Sequence, residues 1–205
     1  EQPLLPNESC NLGSIDVAKF LDTDEAGLTD LNWDRLGETV RLAIRMLDNV
    51  IGLARQQTGL SRLLFASTSE VYAGTLQHFD LPIPTPEDSP LALTALDQPR
   101  TSYMLSKIMG EAMCQHSEIP FTIFRPHNVY GPRMGMAHVI PEQLRRAWEA
   151  EPGDTVPVYS MNHRRSFCYI DDAVEMLRRM LETATCRGQV LNLGTPSPEV
   201  TIGEV

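Results

Sequence analysis

Between Trp33 and about Gln57 the apolar residues Leu36, Val40, Ile44, Leu47, Ile51 and Ala54 recur at steps of three and four. That period places them on one face of an amphipathic helix, with Asn32 positioned to cap its start and Gly59 to stop it. The acidic, turn-rich stretch from Asp22 to Asp34 reads as a loop entering that helix. Leu63-Leu64-Phe65-Ala66 comes next as a short buried strand, and helix, glycine and strand together make an αβ unit. The pattern then repeats. Asp80 to Arg100 is a long loop with prolines at 82, 84, 86, 90 and 99, and a loop of that length in a compact domain is usually functional. Thr101 or Ser102 caps a helix running to about His116, and Phe121 to Phe124 forms the next strand. Pro141 opens a further helix through Trp148, and Asp171 and Asp172 stand at the start of another that reaches about Thr183. Val190 to Leu193 is a last strand, and Thr201 begins a final helical turn. Strands alternating with helices predict an α/β fold with a largely parallel sheet.

Composition changes this picture little but excludes some partners. Of 205 residues, 42% are hydrophobic and 21% charged, as in ordinary globular proteins. No apolar run approaches the ~18 residues of a membrane span, and nothing at the start reads as a signal peptide, so no membrane partner is expected. A formal charge of -10 argues against nucleic acid, whose phosphates need a basic face. A nucleotide is not excluded, since a few placed arginines hold one. Cys10, Cys114, Cys168 and Cys186 are widely spaced and form no CxxC, which predicts reduced thiols in a cytoplasmic protein, with no disulfide framework and no metal site.

The chemistry gathers around Tyr103 and Lys107. Four residues apart on a predicted helix, they project from one face. A tyrosine is a poor base at its reference pKa near 10, but a neighbouring ammonium favours the phenolate and equips such a pair to take a hydroxyl proton. The plain alternative is a surface tyrosine beside a surface lysine. Upstream, Phe65-Ala-Ser-Thr-Ser-Glu-Val-Tyr72 sets hydroxyls and a carboxylate where a buried strand ends, and ligands of open α/β sheets sit outside those ends. A polar turn alone explains Ser67 and Thr68 but not the whole string.

Thr68-Ser-Glu-Val-Tyr72, Ser102-Tyr-x-x-x-Lys107, Arg125-Pro-His-Asn-Val-Tyr-Gly-Pro-Arg133 and Arg165-Ser-Phe-Cys-Tyr-Ile-Asp-Asp172 occur in the order found in extended short-chain dehydrogenases. Over roughly Ile51 to Val205 the chain resembles that family's NAD-dependent nucleotide-sugar epimerases and dehydratases. The resemblance implies a Rossmann-like parallel sheet, NAD as cofactor and a nucleotide sugar, most simply a UDP-sugar, as substrate. It implies that Thr68 bonds the sugar hydroxyl, that Tyr103 is the base, and that Lys107 holds the phenolate and the nicotinamide ribose. Ser67 and His127 fall at the cofactor, and Asn128 and Arg165 at the substrate, where Arg165 matches an arginine that grips the diphosphate. Arg133 is a second candidate for that work and equally reads as a solvated charge. Glu70 discriminates among members: dehydratases resemble Thr-Asp-Glu here, whereas Thr-Ser-Glu is similar to nucleotide-sugar decarboxylases and some epimerases, UDP-glucuronate decarboxylases among them. Glu70 also reads as a simple turn cap. Epimerisation and decarboxylation both fit. Family members pair through helices equivalent to 33–57 and 101–116, which makes a homodimer an expectation.

The glycine-rich turn by which this family cradles NAD is not found. The closest glycines, Gly131 and Gly135, are four apart, so no GxGxxG occurs. The N-terminal βαβαβ half is expected to be missing and the substrate-binding part incomplete. Residues 1–51 resemble instead an internal segment of adenosylcobalamin-dependent ribonucleotide reductase, in which Glu1 closes an active-site loop and Cys10 is one of a redox pair. Without its partner, Cys10 reads as an isolated thiol. The chain thus divides into a reductase-like segment, 1–51, and a truncated epimerase/dehydratase domain, 52–205, joined near Asn49 to Gly52. Three functional readings remain: a nucleotide-sugar epimerase or decarboxylase active when completed, a catalytically silent chimeric domain, or a reductase remnant.

Overall fold

The computed structural model describes residues 21–23, 29–32, 34–35, 38 and 50–205, less 99, 137, 197 and 198. Two short strands, β1 (Leu21–Thr23) and β2 (Thr29–Leu31), pair antiparallel with Leu21 opposite Leu31. The loop expected over Asp22 to Asp34 is corrected at residues 22–23 and 29–31, which form that ladder, whose three-residue strands are too short to show an alternation in sequence. Asn32 does act as a helix cap, since its side-chain oxygen accepts from the Arg35 N–H at 2.9 Å while its amide donates to Asp22 at 2.6 Å. The helix expected over 33–57 is seen at 34–35, 38 and 50–56; its middle lies outside the described residues. Its last stretch, α1 at 50–56, ends before Gly59.

The centre is a parallel sheet. β3 (Leu63–Ala66), β4 (Phe121–Pro126) and β8 (Gln189–Leu193) run in the order β3-β4-β8. Because successive side chains of a strand point to opposite faces, one strand serves two cores. Leu63, Phe65, Ile123 and Val190 face Ile51 of α1 and Cys114 of the later helix. Leu64, Phe124, Leu191 and Leu193 face Cys168, Ala173 and Met180 on the other side. Both faces are covered, which is why the strands read as continuous apolar runs. Cys114, Cys168 and Cys186 are free thiols, and burial, then the charge of Glu111, pushes Cys114 up to about 12.

The helices pack around this sheet. A 3-10 turn at Ser69–Tyr72 leads into α2 (Ala73–His78), a stretch to which the sequence reading assigns no element. α3 (Thr101–Gln115) precedes β4; its N-cap is Arg100, not Thr101 or Ser102 as expected. The Thr101 hydroxyl bonds instead to Thr94 and to the Ala95 carbonyl at 2.9 Å, so it ties down the incoming loop and no side chain caps the helix. β5 (Val129–Tyr130) comes next, then α4 (Val139–Glu149), which starts two residues before Pro141, so the proline lies within the first turn but does not open it. β6 (Arg164–Arg165) and β7 (Cys168–Tyr169) lead into α5 (Ile170–Glu182), with Asp171 and Asp172 in its first turn as expected. After β8 the chain forms β9 (Val200–Thr201) and a 3-10 turn whose capping box joins Thr201 and Glu204. No helix among the described residues is long and apolar enough to cross a membrane.

α2 lies hard against the proline-rich loop. A Cβ built on Gly74 stands 2.0 Å from the Ala92 carbonyl oxygen and 2.6 Å from the Leu93 carbonyl carbon, contacts that backbone cannot relieve by a rotamer change. Gly74→Ala is expected to destabilise the protein by about 1–3 kcal/mol through overpacking, read as a lowered thermal midpoint. An unchanged midpoint would show that the loop is not seated on α2.

Candidate active site

The strings singled out in the sequence leave the sheet at one edge. Thr68 lies just past β3, His127 and Asn128 just past β4, and Asn192 near the end of β8, all at carboxyl ends of parallel strands. α3 is drawn onto this edge by Gly110, where an added Cβ would stand 2.3 Å from the ring of Phe65 on β3. That close approach lets the Lys107 ammonium donate to the Ala66 carbonyl, the last of β3, at 3.0 Å. The same ammonium lies 5.7 Å from the centre of the Tyr103 ring. Thr68 is 7% exposed, and its hydroxyl accepts from the Glu70 N–H at 3.3 Å, which starts the 3-10 turn. Arg100 binds Glu70 through both carboxylate oxygens, one contact being 2.8 Å from Nε, and its guanidinium also lies 5.2 Å from the Tyr103 ring centre. Thr68, Glu70, Tyr103 and Lys107 are therefore brought together, with Arg100 as an unanticipated fifth member.

The remaining candidates are spread wider. The Ser67 hydroxyl turns inward and donates to buried Glu111. His127 is half-buried, with Nε2 3.2 Å from the Asn192 side-chain oxygen. Asn128 is exposed in the left-handed region at φ 40 and donates to the Ser166 carbonyl at 3.0 Å. Arg133 and Arg165 are exposed, and the Arg165 guanidinium donates to the Arg164 carbonyl at 2.8 Å. Among the described residues no hydrogen bond or ion pair joins Arg133 or Arg165 to the Tyr103 group.

Beneath the edge runs a buried polar network that the sequence reading misses. Arg125, 3% exposed, makes a two-point pair with Glu111, 2% exposed, at 2.9 and 2.7 Å. A further Arg125 nitrogen donates to the Tyr72 hydroxyl and to the Glu87 carbonyl. Tyr72 donates to Asn192, and Asn192 holds the loop through the Glu87 carboxylate at 3.0 Å and the Thr85 carbonyl at 2.8 Å. One signal was available: Tyr103, Lys107 and Glu111 step by four along α3, so Glu111 extends the stripe of the other two.

Burial holds the His127 imidazole below its ordinary value of 6.5, and Arg125 acts in the same direction, against the hydrogen bond to the Asn192 oxygen and the charge of Glu87. The folded protein thus binds this proton less readily than the unfolded chain. The resulting stability is complete above about pH 6.5 and is lost as pH falls below it, through the folded value. Thermal midpoints measured downward from neutral pH are expected to fall less steeply in His127→Asn than in the unmodified protein; identical slopes would assign the acid sensitivity to other groups.

A parallel sheet covered on both faces, with a polar site at its carboxyl edge, makes this a Rossmann-like α/β protein. A model of the NAD dependent epimerase/dehydratase family matches residues 24–194, and the chain belongs to that family. It is 35% identical over 154 residues to a UDP-N-acetyl-alpha-D-glucosaminuronate decarboxylase of Bacillus cytotoxicus, across 72% of this chain and 44% of that relative. Among solved structures, the Bordetella bronchiseptica enzyme WbmG in complex with NAD and UDP is 30% identical with a TM-score of 0.61, over 77% of this chain and 44% of that one. A UDP-galactose 4-epimerase is 28% identical with a TM-score of 0.54, over 76% of this chain and 48% of that one. The chain spans just under half the length of these relatives. The family match begins inside residues 1–51, and the likeness of that stretch to ribonucleotide reductase is not among what these comparisons show.

Proposed function

We propose that the protein belongs to an enzyme that oxidises the C4 hydroxyl of a nucleotide sugar, most simply a UDP-sugar, and re-reduces the resulting ketone. The observation that carries this reading is the Tyr103–Lys107 pair, held at the carboxyl edge beside Thr68 by the bond from Lys107 to Ala66. In this reading Thr68 orients the sugar hydroxyl, the Tyr103 phenolate accepts its proton, and the Lys107 ammonium balances the phenolate's charge before that transfer. NAD supplies the hydride acceptor and donor when bound, and the polar edge from Lys107 to His127 suits its nicotinamide-ribose end. Ser67 is the weakest cofactor contact, because its hydroxyl is already engaged by Glu111. Asn128, Arg133 and Arg165 are placed on the exposed side and serve the sugar nucleotide, with the guanidinium groups suited to its diphosphate.

Glu70 favours decarboxylation over dehydration, since Ser69 stands where dehydratases resemble Thr-Asp-Glu, and the 35% identical relative is named as a decarboxylase. Its carboxylate is held by Arg100, so Glu70 reaches a substrate only by exchanging that partner. A lyase results if the ketone loses carbon dioxide, an isomerase if it is reduced on its other face. Free thiols and a sugar-nucleotide substrate fit action in the cytoplasm. Leu105 and Met109, exposed on α3, support pairing of two copies. Calorimetric titration with NAD and separately with UDP-glucuronate tests the central claim. Heat from both is expected, and none from either at millimolar concentration would leave a silent domain.

A further inference from the structure

Asn192 lies in β8 and no motif contains it, yet four groups converge on it. Its Nδ2 donates to the Thr85 carbonyl at 2.8 Å. A carbonyl can only accept, so this contact decides which end of the amide is nitrogen and which is oxygen. The oxygen therefore faces the Tyr72 hydroxyl at 3.0 Å and His127 Nε2 at 3.2 Å. Tyr72 accepts from Arg125 and gives its own proton to the Asn192 oxygen. An amide oxygen has no proton to offer, so the contact with His127 exists only if Nε2 carries the hydrogen.

A neutral imidazole has one N–H, and Nδ1 is then left with a bare lone pair. Among the described residues Nδ1 has no hydrogen-bond partner, and it is not sealed in either, because the buried side-chain polar atom without a partner there is Arg62 Nε. His127 sits at the carboxyl end of β4, between the ends of β3 and β8, where ligands of such sheets lie. The charged groups around it are Glu87 on the loop and Arg125 on β4, with the Tyr72 phenol beside the ring at 6.3 Å between centroids.

We propose that Asn192 is a positioning residue that holds His127 in its Nε2–H tautomer, so that Nδ1 presents a hydrogen-bond acceptor to a ligand at the sheet edge. The ligand half rests on the nucleotide-sugar reading. The group selected is an uncharged donor, an amide or a hydroxyl, which the carboxamide of NAD and the sugar both supply. A carboxylate or phosphate oxygen sets lone pair against lone pair and is refused.

Nitrogen NMR of the histidine rings in the whole chain at neutral pH tests this. His127 is expected to show a protonated Nε2 with a slowly exchanging hydrogen and an unprotonated Nδ1. Asn192→Leu is expected to lose the slow exchange and to mix the two tautomers. Should that variant not fold, Asn192→Asp keeps an acceptor oxygen and is expected to raise the His127 titration midpoint. An Nδ1–H tautomer in the unmodified protein, or variants with unchanged His127 signals, overturns the role of Asn192. NAD and UDP-glucuronate are then added separately, and whichever supplies the donor moves the Nδ1 resonance. Calorimetric binding of both with a still Nδ1 signal overturns the ligand half. Absence of binding by both removes the nucleotide-sugar reading and the ligand half with it, while the tautomer is decided on the free protein.

Discussion

Replacing Glu111 by leucine lowers the stability of the fold by about 3–5 kcal/mol, because the change strands the Arg125 guanidinium in the interior. Both partners are almost fully buried, and the carboxylate also accepts from Ser67. Denaturant unfolding gives the measurement. The double variant Glu111→Leu with Arg125→Met is expected to lose much less than the two single losses together, since a buried pair replaced by apolar groups of similar size is often near neutral. It will not recover fully, for Tyr72 and the Glu87 carbonyl lose their donor. Losses that simply add would mean that the pair acts as two independent residues.

If the proposed activity holds, Tyr103→Phe is expected to lower turnover of a UDP-sugar by about 100- to 10,000-fold, the usual worth of a positioned general base, with little change in thermal midpoint. The ring stays over Lys107 and Arg100, and only the hydroxyl is removed. The assay follows reduced cofactor and product together. Lys107→Met also loses turnover but, unlike Tyr103→Phe, lowers the midpoint, because the Ala66 carbonyl loses its donor. Turnover undiminished in Tyr103→Phe would remove the tyrosine from the chemistry.

Features legible in the sequence share one cause: they arise from local period or from a contiguous string. The strand Leu63–Ala66 appears with its expected bounds, and β4 and β8 extend their expected ranges by two residues and one. The parallel sheet is implied by alternation of helix and strand, and Tyr103 and Lys107 meet because a helix sets residues four apart on one side. What the sequence hides depends on residues distant along the chain. Arg125 appears there only as the first letter of a motif, and Glu111 as one more charge on a helix, although their pairing organises the interior beneath the site. Arg100 is equally silent, since nothing local announces that a left-handed residue before α3 will reach back to Glu70. The cap expected at Thr101 or Ser102 differs for a related reason, since the Thr101 hydroxyl is claimed by Thr94 and Ala95.

The bonds from Asn192 to Glu87 and Thr85 span more than a hundred residues of chain. During synthesis the proline-rich loop and the tyrosine helix leave the ribosome long before β8 does. The loop is tied early to α2 and Thr101, but its 85–87 stretch has these two anchors only when β8 has joined β4. Completion of the polar network beneath the candidate site is thereby tied to β8, and a nascent chain halted before residue 192 would display the tyrosine and lysine with the 85–87 stretch still unheld by Asn192.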